Sequence, residues 1–265
     1  MGKERADKLL VEKGYINSRS KAKKIISDGI VYIGGKRIKK PSQSVLRDSN
    51  IDIRENPLSF VSRAGAKLEK ALDEFNINLA GLVALDIGSS TGGFTQCMLE
   101  DGARFVYALD VGKNQLVKEL KEDSRVFSME GTNIRNVSKE DFDLAINFIS
   151  IDVSFISLKL VLPVAKDVLE NNGQIVALIK PQFEVGKGNI SKKGIVKDTK
   201  LHYQVLRDMI DFSSELGLGA NDLTYSPVTG SKGNIEFLIF LESDSKGKNI
   251  SDDYIYNLLE EASRV

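Results

Sequence analysis

The strongest constraint on the fold is an alternation, from residue 62 onward, of strand-length apolar runs with amphipathic stretches of helical periodicity. In chain order, the apolar runs are GLVALDI, RFVYALD, RVFSME, DLAINFISID, GQIVALIK, DLTYSP and IEFLIFLE. This alternation is typical of a doubly wound α/β sheet of parallel strands, with helices on both faces. Ligands of such sheets bind at the carboxyl ends of the strands. We therefore expect Asp86, Asp110, Asp152 and Lys180, at the ends of four runs, to lie around one binding site.

The first of these runs leads into a glycine-rich loop, in the segment LDIGSSTGGFTQCML. Its glycines, Gly88, Gly92 and Gly93, do not have the G-x-G-x-x-G spacing that binds the pyrophosphate of a dinucleotide. Asp86, just before the loop, would also repel phosphate groups. The loop therefore favours a ligand with a cationic amino-acid end, and S-adenosylmethionine is such a ligand. Asp110, at the end of the second run, is placed to bind both hydroxyls of an adenosine ribose.

Four charged residues can provide the chemistry of a methyl transfer to a hydroxyl group: Lys67, Asp152, Lys180 and Glu236. Two lysines and two carboxylates can share a buried pocket because their charges cancel. A lysine can remove or orient the hydroxyl proton if a neighbouring cation and desolvation give it a useful neutral fraction. We assign this role to Lys180, held and oriented by Asp152. Lys67 would be the neighbouring cation, and Glu236 would hold either Lys67 or the hydroxyl.

The first fifty residues differ from the rest of the chain in charge. They contain thirteen lysines and arginines against five aspartates and glutamates, and the remainder has an equal excess of acidic residues. Their pattern predicts a helix, a turn, a second helix and a hairpin. Ser18 can cap the second helix and Gly29 can end it, while Gly34 and Gly35 suit the tight turn of the hairpin. We interpret this segment as a separate small domain with a polyanionic partner.

Basic residues follow the outer side of the second helix and the hairpin turn, where they can line one phosphate-binding face: Arg19, Lys21, Lys23, Lys24, Lys36, Arg37, Lys39 and Lys40. The stretch SRSKAKKIISDGIVYIGGKRIKKPS resembles the αL RNA-binding motif, a small module named after a ribosomal protein of the small subunit. The resemblance spans most of residues 4–50 and implies that this module binds RNA. A solvated basic surface with no partner is the alternative.

Further motifs are spread along the chain, in the segments SRAGAKL, LDIGSSTGGFTQCML, ALDVG, DVSFISL, IKPQFE, KGIVKD and SPVTGSKGNIEF. With the αL motif, they resemble the TlyA-type proteins, often labelled haemolysin A, which belong to the FtsJ-like ribose methyltransferases. The resemblance covers residues 4–242. It implies 2′-O-methylation of ribosomal RNA, free or in a ribosomal subunit, with S-adenosylmethionine as the donor. It also implies a Lys-Asp-Lys-Glu tetrad that falls on the four charged residues named above.

The predicted fold is therefore a Rossmann-like α/β S-adenosylmethionine-dependent methyltransferase domain with a small N-terminal α+β domain. We expect an RNA-binding domain over residues 1–58, a linker over 59–64, the methyltransferase domain over 65–245, and a polar linker with a C-terminal helix over 246–265. The residues expected to bind the methyl donor are Asp86, Gly88, Ser89, Gly92, Gly93, Phe94, Asp110, Val111 and Asn133. Thr91 and Phe94 replace the proline and tryptophan that are common in this loop of FtsJ-like enzymes.

Other functions fit the sequence less well. Methylation of base amino groups usually involves an Asn-Pro-Pro-aromatic segment, where this chain has DVSF. Methylation of base carbons usually needs a cysteine nucleophile, and the single cysteine, Cys97, is expected to be a buried helical residue. The single histidine, His202, is too isolated to suggest a metal site. A non-catalytic RNA-binding or ribosome-assembly factor remains the main alternative.

A membrane-active haemolysin is disfavoured, because no run approaches the ~20 apolar residues that span a bilayer. A single cysteine excludes an internal disulfide, and the start MGKERADKLL has no apolar signal-peptide region. We therefore expect a cytoplasmic protein.

Overall fold

In a computed structural model of the chain, the described residues are 2–16, 19–27, 29–53, 60–186, 188, 190–191 and 194–264. The chain divides into two compact units, Met1–Ser59 and Phe60–Val265. Ser18, the predicted cap of the second helix, and Ser59, in the predicted linker, lie outside the described residues.

The first unit is built from short elements around a small apolar core. Its strands are β1 (Lys3–Arg5), β2 (Val31–Ile33), β3 (Lys36–Arg37), β4 (Ser44–Leu46) and β5 (Ile51–Ile53), and its helices are α1 (Ala6–Glu12) and α2 (Arg19–Ser27). Strand β1 pairs with β4, while β2 pairs with both β3 and β5, all antiparallel. The predicted hairpin is the β2–β3 pair, and both Gly34 and Gly35 have the positive φ of its tight turn. Leu9, Leu10 and Ile25 are buried where the two helices meet.

The second unit alternates strands with helices. Its strands are β6 (Val83–Ile87), β7 (Phe105–Asp110), β8 (Val126–Glu130), β9 (Ile146–Ile151), β10 (Leu169–Ile179), β11 (Leu218–Tyr225) and β12 (Phe237–Ser243). Its α-helices are α3 (Gly65–Phe75), α4 (Gly93–Glu100), α5 (Lys118–Lys121), α6 (Leu162–Val168), α7 (Pro181–Glu184), α8 (Thr199–Glu215) and α9 (Asp252–Ala262). Each of the seven predicted apolar runs forms one strand.

The seven strands form one sheet in the order β11-β12-β10-β9-β6-β7-β8. Strands β10, β9, β6, β7 and β8 are parallel, as predicted, but β12 runs antiparallel to both of its neighbours. The sheet is therefore mixed rather than parallel throughout. The reason is the short connection from β11 to β12, which contains no crossover helix and so returns the chain in the opposite direction.

Alternate residues of the strands pack against two helical layers. On one face, Leu85 and its neighbours contact buried side chains of α6, α8 and α9. On the other face, Ala84, Phe148 and Leu238 contact buried side chains of α3 and α4. The predicted C-terminal helix is α9, which buries Ile255, Leu258 and Leu259. The C-terminal segment is therefore part of the packed unit.

The segment 60–64, which the sequence suggested as part of a linker, packs within the second unit. Phe60 is buried among the side chains of α3 and α4. Gly65 makes room for it, since a Cβ there would lie 2.1 Å from Phe60 Cγ. The backbone N–H of Val61 donates to Gln96 Oε1 at 2.6 Å. The chain thus enters the second unit at Phe60.

Candidate active site

The four charged residues predicted to act together do lie together, at one edge of the sheet. Asp152 follows β9 and Lys180 follows β10, so both stand at the carboxyl ends of parallel strands. Glu236 precedes β12, and because β12 is antiparallel its start lies at this same edge, where Phe237 pairs with Ile179. Lys67 reaches the group from the first turn of α3.

Ion pairs join the four residues into one chain of contacts. Lys180 Nζ lies 2.6 Å from Asp152 Oδ1, and Lys67 Nζ lies 3.7 Å from Asp152 Oδ2. Lys67 Nζ also lies 2.8 Å from Glu236 Oε2. All four side chains are at most 15% exposed, so the charges are largely removed from water. Two cations and two anions cancel, which makes this burial tolerable.

Two neighbours of the tetrad were not predicted. Lys180 Nζ donates a hydrogen bond to Ser154 Oγ at 2.9 Å, and Gln182 Nε2 donates to Glu236 Oε1 at 3.4 Å. Each stands two residues beyond a tetrad member, which is the only sequence signal that could have identified it. Gly230 leaves room for the Glu236 carboxylate in this position, because a Cβ there would lie 2.0 Å from Glu236 Oε1.

The tetrad opens onto a polar cavity of about 350 Å³ in the second unit. Other residues that line it include Arg63, Ser89, Phe94, Phe183 and Thr229. The Oγ of Ser89 is buried and has no hydrogen-bond partner among the described residues. An unpartnered buried hydroxyl is costly, and a ligand in the cavity could relieve that cost.

A second cavity, of about 440 Å³, adjoins the first and is more apolar. The predicted residues Asp110, Val111 and Asn133 line it, together with aliphatic side chains. The two cavities share four lining residues: Gly88, Ser90, Asp152 and Ser154. A ligand in one cavity can therefore meet a ligand in the other beside Asp152.

Gly88 is required where the two cavities meet. It has φ of +91°, and a Cβ on it would lie 2.5 Å from the carbonyl oxygen of Asp152. Any other residue would be strained and would push the loop away from the end of β9. The glycine thus allows the loop to approach the tetrad closely.

Asp110 faces the second cavity and also holds two loops beside that cavity. Its carboxylate accepts hydrogen bonds from the backbone N–H groups of Ser90, at 2.9 Å, and Gly112, at 2.7 Å. These bonds tie the glycine loop to the segment after β7. Asp110 is therefore fixed in place before any ligand arrives.

Not every residue predicted for donor binding lines a cavity. Asp86 is fully buried, and its carboxylate accepts hydrogen bonds from Thr95 Oγ1 at 2.6 Å and Ser150 Oγ at 3.2 Å. Burial raises the pKa of Asp86 to about 7, although these bonds oppose the shift. Gly92 and Gly93 also line neither cavity. Asp86 instead joins α4 to β9 beneath the loop, and the two glycines form the start of α4.

An exposed aromatic residue that the sequence did not single out stands at the rim of the second cavity. Phe155 is 91% exposed. Its backbone has φ of +65°, a conformation that is strained for residues other than glycine. Its ring lies 5.3 Å from that of Phe183, which lines the first cavity. Exposed rings of this kind offer a stacking surface for a nucleobase.

The basic residues predicted to bind RNA lie in the first unit. Arg19 and Lys23 are exposed on α2, and Lys36 and Arg37 are exposed on β3. The side chains of Lys21 and Lys24 lie outside the described part of the structure. These positions remain predictions.

The single cysteine and the single histidine are both internal. Cys97 is buried in α4, and burial raises the pKa of its thiol. His202 is buried in α8, where its Nε2 lies 3.2 Å from the carbonyl oxygen of Val196. Within the described ranges, no helix is long and apolar enough to cross a membrane, and no cluster of side chains suited to a metal ion occurs.

The family model of the FtsJ-like methyltransferases matches residues 60–243, and the S4 domain model matches residues 4–51. YqxC of Bacillus subtilis is 47% identical, over 99% of this chain and 95% of that protein. The 16S/23S rRNA (cytidine-2'-O)-methyltransferase TlyA of Mycobacterium tuberculosis is 37% identical, over 91% of this chain and 90% of that protein. A solved structure of a protein named as a hemolysin, from Streptococcus thermophilus, is 42% identical with a TM-score of 0.79, over 100% of this chain and 97% of that one.

Proposed function

The chain belongs to the FtsJ-like methyltransferase family, and we propose that it transfers a methyl group from S-adenosylmethionine to a ribose 2′-hydroxyl of ribosomal RNA. The observation that carries this proposal is the tetrad of Lys67, Asp152, Lys180 and Glu236, which lines one ligand-sized cavity and borders a second at Asp152. A relative named as a ribosomal RNA (cytidine-2'-O)-methyltransferase supports the substrate class. A ribosomal substrate would place the enzyme in the cytoplasm.

The second cavity has groups that fit the methyl donor. Asp110 can accept hydrogen bonds from ribose hydroxyls, and Val111 with the aliphatic lining offers an apolar surface for an adenine ring. Toward the first cavity, the unpartnered hydroxyl of Ser89 is available to the amino-acid end. When bound, S-adenosylmethionine supplies an electrophilic methyl group on a positively charged sulfur.

The first cavity has groups that fit the methyl acceptor. We assign the uptake of the 2′-hydroxyl proton to the neutral amine of Lys180, after it has released its own proton; Asp152 and Ser154 hold Lys180 Nζ at 2.6 Å and 2.9 Å. A positioned amine that removes this proton as the oxygen attacks makes the hydroxyl a better nucleophile. Lys67 and Glu236 complete the tetrad: their opposite charges cancel, and Lys67 Nζ also lies 3.7 Å from the Asp152 carboxylate.

The first unit supports RNA as the substrate. It matches the S4 domain model, and residues 1–50 carry the excess of lysine and arginine. Positive side chains of this unit would bind phosphates, while the exposed ring of Phe155 in the second unit would stack on a base. We therefore propose that the first unit binds RNA and the second modifies it.

The proposal is tested with the purified chain, labelled S-adenosylmethionine, and unmodified 16S and 23S ribosomal RNA, both free and in subunits from a strain lacking the gene. We expect a 2′-O-methylated nucleoside in nuclease digests analysed by mass spectrometry, at a site that is unmodified in that strain. RNA binding without methyl transfer to any of these substrates would favour a non-catalytic assembly factor instead.

Replacing Asp110 with alanine is expected to weaken donor binding by about 1–3 kcal/mol, the range for loss of a hydrogen bond to a charged group. Calorimetric titration with S-adenosylmethionine measures this loss, and Asp110→Asn separates the charge from the shape. Asp123→Ala is the matched control, because Asp123 pairs with Arg125 outside both cavities. An unchanged affinity of Asp110→Ala would mean that the ribose is bound elsewhere.

Replacing Cys97 with alanine is expected to leave methyl transfer near that of the unsubstituted chain, at a cost of about 1 kcal/mol in stability. Cys97 is buried and lines neither cavity, so it cannot act as a nucleophile toward a base carbon. Its thiol should also react slowly with a thiol reagent in the folded chain. Loss of transfer in a stably folded Cys97→Ala variant would contradict the assignment of ribose as the acceptor.

A further inference from the structure

In the first unit, the carboxylate of Asp7 holds two arginines that come from different elements. Arg5, the last residue of β1, donates from Nε to Asp7 Oδ1 and from Nη2 to Oδ2, both at 3.0 Å. Arg19, the first residue of α2, donates from Nη2 to the same Oδ2 at 2.9 Å. Because both Nη2 atoms contact one oxygen, the two guanidinium groups lie next to each other.

In this cluster the carboxylate is buried, whereas the two guanidinium groups are partly exposed. The Asp7 side chain is 0% exposed, whereas the side chains of Arg5 and Arg19 are 45% and 54% exposed. The hydrogen bond from Arg5, and then that from Arg19, hold the pKa of Asp7 well below its usual range. Asp7 therefore stays charged without facing solvent, and a ligand would meet only the arginines.

Both arginines retain hydrogen-bond donors that no described residue uses. A guanidinium group has five N–H donors, of which Arg5 uses two on Asp7 and Arg19 uses one. Within the described part of the chain, neither side chain has another hydrogen-bond acceptor. The remaining donors have the planar geometry that matches phosphate oxygens.

The charge of this cluster differs from that around Arg47 in the same unit. Arg47 contacts Glu4 at 3.0 Å and Glu12 at 2.9 Å, and Lys8 pairs with the same two carboxylates, so two positive and two negative charges cancel there. Arg5 and Arg19 share only one carboxylate, which leaves one positive charge without a counterion in the cluster. A second anion, bound from solvent, would relieve the repulsion between the two cations.

We propose that Asp7 is a positioning residue that holds Arg5 and Arg19 side by side, so that together they bind one phosphate of the RNA backbone. The inference rests on the proposed function, because it takes RNA as the ligand of the first unit. Arg5 and Asp7 were not among the RNA-binding residues predicted from the sequence. The carboxylate does not touch RNA in this site, but it sets the separation of the two groups that do.

The arginines are tested by binding the full-length chain to unmodified 16S and 23S ribosomal RNA over a series of KCl concentrations. Arg5→Gln and Arg19→Gln should each bind about 10-fold more weakly, as expected for loss of a charge-assisted hydrogen bond. The double variant should flatten the log–log salt slope by about 0.7–0.9, the value for one phosphate contact. Arg47→Gln removes one positive charge, as each single variant does, and should leave the salt slope unchanged. A double variant that loses twice this slope would overturn the shared site.

The role of Asp7 is tested with Asp7→Asn. Removal of a negative charge should strengthen RNA binding if only net charge matters, but loss of positioning should weaken it about as much as loss of one arginine. Thermal unfolding and donor binding are measured on the same variant. A folded Asp7→Asn chain that binds RNA as tightly as the unsubstituted chain, or more tightly, overturns the proposal. If Asp7→Asn does not fold, the salt slopes of the arginine variants decide whether the two arginines share one phosphate.

These outcomes are distinct from failure of the proposed function. If the proposed function were wrong, the unsubstituted chain would transfer no methyl group to ribosomal RNA. Failure of the present inference would appear only among variants of a chain that does transfer it.

Discussion

Replacing Lys180 with alanine is expected to slow methyl transfer by about 10²–10⁴-fold, the contribution of a positioned general base. Donor binding should change by no more than a few-fold. Lys180 lines the first cavity, with Asp152 and Ser154, but does not line the second, which fits the donor. Single-turnover transfer of a labelled methyl group measures the rate, and calorimetric titration measures donor affinity.

Two further variants separate proton transfer from charge. Lys180→Arg keeps the positive charge, but a guanidinium group does not release its proton and should be nearly as slow as alanine. Lys166→Ala is the matched control, since Lys166 forms an ion pair with Asp244 outside both cavities. Near-normal turnover of Lys180→Ala would remove Lys180 as the base and leave positioning of the hydroxyl as the function of the tetrad.

Deleting residues 1–58 is expected to abolish methylation of ribosomal RNA while leaving donor binding intact. The second unit has its own apolar core, and both cavities and the whole tetrad lie within it. The deletion instead removes the basic residues that would bind phosphates. Each lost phosphate contact should flatten the salt dependence of RNA binding by about 0.7–0.9 in log–log slope. Filter binding and transfer assays on the truncated chain measure both effects.

Two variants of the full chain, each losing three positive charges, test without deletion whether the first unit binds the RNA. Neutralising Lys23, Lys36 and Arg37 should reduce both RNA affinity and its salt slope, whereas neutralising Lys246, Lys248 and Arg264 should change neither. Donor affinity should be the same in both variants. A truncated chain that methylates RNA as well as the intact one, with the same salt slope, would show that the first unit does not bind the substrate.

The family assignment made from the motifs is confirmed by the matching family models. The strands were also predictable, because a strand buried on both faces needs an apolar run, and residues 83–87 (VALDI) and their counterparts supply one. The Gly34-Gly35 turn was predictable for a local reason, since few residues other than glycine accept positive φ. Asp152 and Lys180 follow such strands, so their common location could be inferred from the α/β pattern.

Other features depended on contacts between distant parts of the chain. The direction of β12 follows from how the chain returns after Tyr225, and it brings Glu236 beside Lys180. The position of Asp86 beneath the loop is set by the hydroxyls of Thr95 and Ser150. Phe60 joined the second unit because α3 and α4 leave space for its ring.

The sequence by itself therefore determined which segments form strands, which turns need glycine, and which charged residues follow a strand at the ligand-binding edge of the sheet. The tertiary structure alone decided which of those residues contact each other, which face a cavity, and which are buried as supports. The physical reason is that backbone preference and hydrophobic periodicity act within a few residues, whereas burial, ion pairing and hydrogen bonding are settled between segments that meet only in the folded chain.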